Sequence, residues 1–88
     1  MTEQTYVVQS AEGIHARPAT KLVHAAGQCE GEVSLTYNER TVNLKSVLGI
    51  MSLGVPNNAS FTIRVEGGDE AASFQILEET MKEEGIIA

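Results

Sequence analysis

Residues 32–44, EVSLTYNERTVNL, decide the architecture. Val33, Leu35 and Tyr37 alternate with Glu32, Ser34 and Thr36. That is the period of a strand with one face buried and one face wet. Asn38-Glu39 marks a tight turn, and Val42 and Leu44 continue in a second strand, so the segment predicts a β-hairpin. Upstream, Tyr6 and Val8 alternate with Val7 and Gln9 and predict a first strand over 3–8. Between them, Ala16, Ala19, Leu22, Val23 and Ala26 recur at three- and four-residue spacing, one face of a helix over 16–26 that Gly27 stops. Downstream, SVLGIMSLG at 46–54 reads as a short helix with Ser46 as its N-cap, followed by a VPNNA loop. Phe61, Ile63 and Val65 alternate with Thr62 and Arg64 in another strand, which Gly67-Gly68 break. Asp69 then caps a last helix with Ala71, Phe74, Leu77 and Met81 on one side, and Gly85 ends it.

The order is β-α-β-β-α-β-α. Alternating strands need helices over one face only, so the expected fold is an α/β two-layer sandwich with an antiparallel sheet. Residues 1–88 form a single domain, without repeats, linkers or low-complexity segments.

Composition narrows the function classes. The net charge is −6, with six Lys plus Arg against twelve Asp plus Glu, so no basic face is expected for direct nucleic-acid binding. No apolar run approaches the length of a membrane span, and MTEQTYVVQ lacks the pattern of a secretory signal. Cys29 is the single cysteine, which excludes an internal disulfide and fits a reducing cytoplasm. Its neighbours Gln28, Glu30 and Glu32 offer nothing to activate a thiol. The acidic residues of the last twenty positions read as a solvated helix face.

The chemistry concentrates in AEGIHARPAT, residues 11–20. Proline is tolerated in the first turn of a helix, so Pro18 predicts a helix start near residue 16 with His15 at its N-terminus. Backbone N–H groups converge there, and those of Ala16 and Arg17 are the predicted phosphate donors. The Arg17 side chain adds a charge that can grip a phosphate with two hydrogen bonds. A neutral imidazole nitrogen can attack phosphorus and carry the group. A hydrolase triad lacks a nucleophile near His15. A metal site lacks ligands, since His15 and His24 stand nine residues apart, about 13 Å along one helix. Neither a metal nor a cofactor is therefore expected, and His24 reads as a surface residue.

GIHARPAT at 13–20 and NLKSVLGIMSLG at 43–54 resemble the two signature segments of the HPr family. These are the histidine-containing phosphocarriers of the phosphoenolpyruvate-dependent sugar phosphotransferase system. The resemblance covers essentially the whole chain, and the serine segment is similar to that of Gram-positive HPr proteins. It implies four antiparallel strands in an open-faced sandwich, covered on one face by three helices. It implies that His15 is phosphorylated on Nδ1 by enzyme I and passes the group to sugar-specific IIA components, with Arg17 assisting. It implies that Ser46 is phosphorylated by the HPr kinase/phosphorylase, and that the product acts with the catabolite control protein, a transcription regulator. It further implies a partner surface at Thr20, Val47, Leu48, Met51 and Leu53.

Ser46 has a plain structural reading too, as an N-cap worth about 1 kcal/mol. A phosphate there would place nearly two negative charges beside Val47, Leu48 and Met51, which form a docking patch if exposed. The chain departs from the family pattern at Glu12, where a small polar residue is usual. A carboxylate there is expected to repel a phosphate on His15 unless it points into water. Lys21 and Leu48 also depart, the latter a volume-conserving change from methionine. The rival readings are a regulatory binding module in which His15 is idle, and a small hydrolase using His15 as base.

Overall fold

A computed structural model describes residues 1–88. The elements follow the predicted order: β1 Thr2–Val7, α1 Ala16–Gly27, β2 Glu32–Tyr37, β3 Arg40–Asn43, α2 Val47–Leu53, β4 Ser60–Glu66 and α3 Glu70–Glu83. The four strands form one sheet in the order β1-β4-β2-β3, and every pairing is antiparallel.

The hairpin closes through Asn38 and Glu39, both with positive φ (52° and 66°). That pair of left-handed residues is the primed turn whose twist matches its strands. On the inner face Val33, Leu35, Phe61, Ile63 and Val65 are buried. On the outer face the register sets Thr5 beside Thr62, Thr62 beside Thr36, and Thr36 beside Thr41. The hydroxyls of Thr5 and Thr62 lie 3.0 Å apart, and those of Thr36 and Thr41 2.8 Å. A row of β-branched residues thus crosses all four strands on the wet side.

Several expectations shift. β1 begins at Thr2 and ends at Val7; Val8 lies beyond it, fully buried, exchanging backbone bonds with Ala59 and Asn58. The inward positions of β1 are polar. They are joined to α3 by hydrogen bonds from Thr2 to Glu70 and from Tyr6 to Glu78, both 2.6 Å. Burial, with the Glu78 carboxylate as second cause, pushes the Tyr6 phenol above its ordinary value. Leu44 falls outside β3 but is buried, its N–H donating to Val33. The buried face of α1 is Pro18, Ala19, Leu22, Ala25 and Ala26, while Ala16 is exposed. On α3, Ala71 is exposed and Ser73 takes a buried place. Both exposed alanines lie in the first turn of their helix, where periodicity alone overextends the buried face. Gly85 (φ 73°) reverses the chain after α3, and Ile86 turns back into the core, its N–H donating to Met81 O at 2.8 Å. No helix is long and apolar enough to cross a membrane.

Candidate functional site

The loop before α1 is built by backbone geometry. Gly13 adopts φ +70°, and a Cβ there would stand 2.3 Å from the Val55 carbonyl oxygen and 2.9 Å from Pro56 Cα. Only glycine lets the two backbones meet so closely. The approach is used at once: Ile14 N–H donates to Val55 O at 3.0 Å, and Ile14 is buried. Asn57 Nδ2 donates to Ser10 O at 2.8 Å, and Gln9 N–H to Ile86 O at 2.7 Å. The segment from 9 to 14 is therefore pinned by the chain after α2 and by the C-terminal tail.

His15 follows as the N-cap residue of α1, with extended backbone (φ −102°, ψ −172°) and no side-chain cap. Its carbonyl accepts from Ala19 N–H at 3.0 Å, so the helix starts where Pro18 predicts. The N–H groups of Ala16 and Arg17 precede the first possible intrahelical acceptor and have no capping side chain. His15 is half-buried, while Ala16, Arg17 and Thr20 are exposed. Arg17 takes part in none of the chain's ion pairs. The Thr20 hydroxyl donates to Ala16 O at 2.9 Å. This is a cationic, donor-rich helix end with its ring half in solvent. A group held there can be reached from outside by more than one partner. The largest surface hollow lies elsewhere, against Glu32, Ser34, Thr41 and Lys45.

The Glu12 side chain is 75% exposed, yet it is turned toward His15. Its Oε2 lies 3.1 Å from Nε2 of His15. Residue spacing alone does not reveal this contact, because the reversal at Gly13 creates it.

Ser46 is the N-cap of α2, its Oγ accepting from Gly49 N–H at 3.1 Å. Lys45 Nζ is tied to the carbonyls of Cys29 (3.2 Å) and Gly31 (3.0 Å). On α2, Leu48 is 83% exposed and Met51 39%, with Val47 half-buried beside them. Leu53 corrects the predicted partner patch. It is only 7% exposed and belongs to the core, because the helix turns that position toward the sheet. Cys29 is buried, its thiol donating to Ala25 O at 3.5 Å, in keeping with a structural role. His24 is exposed in a shallow recess between α1 and α3 with Lys21, Thr80 and Glu83.

Comparison with known proteins agrees with this arrangement. The family described as "PTS HPr component phosphorylation site" matches residues 2–83. A histidine-containing phosphocarrier protein from Mycoplasma superposes with a TM-score of 0.94 at 27% identity, over 98% of each chain. Phosphocarrier protein HPr from Bacillus anthracis gives 0.82 at 30% identity, over 90% of this chain and 94% of its own. Bacillus subtilis Crh, a catabolite repression protein seen as a swapped dimer, gives 0.72 at 33% identity, over 96% and 97%. The matched span takes in the His15 helix end, the Ser46 cap and all four strands, and the chain belongs to the HPr family of phosphotransferase-system phosphocarriers.

Proposed function

We propose that His15 accepts a phosphoryl group from phospho-enzyme I and passes it to sugar-specific IIA components, the protein acting in the cytoplasm as a relay without turnover of its own. The observation that carries this reading is the uncapped helix N-terminus behind His15, with Arg17, exposed and free of any ion pair, in its first turn. The His15 lone pair forms a P–N bond as the bond to the donor's nitrogen breaks, and the electron pair of that bond returns to the donor. Charge on the three phosphoryl oxygens is met by backbone N–H groups and Arg17 without being locked in place. Onward transfer is the same step in reverse, with a IIA component as acceptor. The exposed Leu48 and Met51, with half-buried Val47 and exposed Thr20, offer a modest docking surface, which suits a relay that must release its partners.

The test is ³¹P NMR and intact mass after mixing with enzyme I, phosphoenolpyruvate and Mg²⁺, beside His15→Ala. One acid-labile phosphate in the wild type and none in the variant is the expected result. Phosphate in both, or in neither, refutes the assignment.

A second reading concerns Ser46, supported by its place at the α2 N-cap beside Leu48 and by the likeness to Crh. Here the HPr kinase/phosphorylase modifies Ser46, and the modified surface binds the catabolite control protein while docking to enzyme I weakens. α2 spans about 10 Å at 1.5 Å per residue, so its N-cap lies a helix length from the end that touches the His15 loop. The effect on His15 then works through the shared docking surface rather than by direct contact. Binding that depends on phospho-Ser46 and survives His15→Ala separates this role from the relay.

A further inference from the structure

We propose that Glu12 is a positioning residue for His15, holding the imidazole proton on Nε2 so that the lone pair stands on Nδ1, the nitrogen that takes the phosphoryl group. The inference rests on the carrier reading of His15 for its consequence, but not for the contact itself. Glu12 Oε2 lies 3.1 Å from Nε2, and an ionised carboxylate at that distance can only accept. A neutral imidazole carries one proton, so a proton shared with Glu12 leaves Nδ1 bare.

The backbone that carries the contact is pinned, while the Glu12 carboxylate itself is largely in solvent. Glu12 N–H donates to Ser10 Oγ at 3.4 Å, and Gly13 N–H to Ser10 O at 3.1 Å. The same Ser10 carbonyl is gripped by Asn57. Gly13 then turns the chain at φ +70°, where a Cβ would strike Val55 O, and the carboxylate of residue 12 comes back onto the ring of residue 15. Glu12 forms no ion pair with Arg17, so the guanidinium stays free for phosphate.

The contact bears on both halves of the relay. As Nδ1 bonds to phosphorus, the ring becomes cationic, and Glu12 offsets that charge from the nitrogen away from the phosphate. When the P–N bond breaks, its electron pair returns to Nδ1 while the proton stays on Nε2. The leaving group is then neutral imidazole rather than imidazolate. Glu12 thus keeps the phosphoryl group easy to transfer, at the cost of a shorter life in water.

The experiment is long-range ¹H–¹⁵N NMR of the His15 ring at alkaline pH in wild type, Glu12→Gln and Glu12→Ala. The ratio of Nε2–H to Nδ1–H tautomers is expected to fall about two- to fivefold in Glu12→Ala, the span an exposed charged contact supplies, and less in Glu12→Gln. The backbone amide spectrum should otherwise stay unchanged, so a structural role alone would not move the ratio. Equal ratios in all three proteins overturn the proposal. Treatment with enzyme I and phosphoenolpyruvate should place phosphate on Nδ1, with a lifetime about two- to fivefold longer in Glu12→Ala; phosphate on Nε2 of the wild type also overturns it. A wild type that takes no phosphate, while its tautomer ratio still responds to Glu12, refutes the carrier reading and upholds the contact.

Discussion

Replacing Gly13 by alanine isolates what the close approach at the His15 loop is worth, with Gly54→Ala as its control. Both glycines have positive φ, +70° and +59°. A Cβ on Gly54 meets nothing within 4 Å, whereas one on Gly13 meets Val55 O at 2.3 Å. The left-handed strain is common to both, about 1–2 kcal/mol, partly offset by the lower entropy of the unfolded alanine chain. Gly54→Ala should therefore cost about 1 kcal/mol. Gly13→Ala adds an overlap with backbone atoms that cannot swing aside, about 1–3 kcal/mol. It also weakens the Ile14–Val55 hydrogen bond, worth roughly 1 kcal/mol. The total is about 3–5 kcal/mol, against the roughly 4–13 kcal/mol that a chain of this length holds in all. Urea unfolding followed by circular dichroism reads both variants, with the slope checking that folding stays two-state. Amide shifts in Gly13→Ala should concentrate at residues 10–17 and 54–57. A difference between the two variants below about 1 kcal/mol would refute the claim that backbone contact holds the His15 loop.

Three further outcomes are expected. Glu39→Gly should stabilise the protein by about 1 kcal/mol, raising Tm by about 4–8 °C, because Glu39 holds φ 66° in a turn that favours glycine there; a Glu39→Lys control should leave Tm unchanged. Ser46→Ala should cost about 1 kcal/mol through loss of the bond from Gly49 N–H, read by the same urea titration. Glu70 accepts from Thr2 and from Gly67 N–H and sits 2.9 Å from the Met1 amine, which pull its carboxyl from 4.5 down to about 2. A carboxylate lowered on folding stabilises above its unfolded value, so the stability gap between wild type and Glu70→Gln should hold above pH 4.5 and close as pH falls through about 2, measured by thermal melts across that range.

Short-range pattern carried much of this protein by itself. The alternation in 32–37 and 60–66, the helical spacing in 16–26, and the punctuation by Pro18, Ser46, Asp69 and Gly85 are local signals, and each marks an element that forms where it is expected. Steric and capping preferences act within one turn or one strand, so they are legible without the fold. His15 at a helix start is legible for the same reason. The tertiary structure decided which residues meet across long stretches of chain. Leu53 and Leu48 are equally apolar as letters, yet the seating of α2 on the sheet buries one and leaves the other in water. The inner face of β1 is polar because α3 supplies Glu70 and Glu78 as partners. Gly13 must be glycine because Val55, forty-two positions later, passes against it. Glu12 meets Nε2 of His15 across the turn that this glycine makes. Such contacts depend on where independently formed elements come to rest against a shared core, and no local period in the chain encodes that distance.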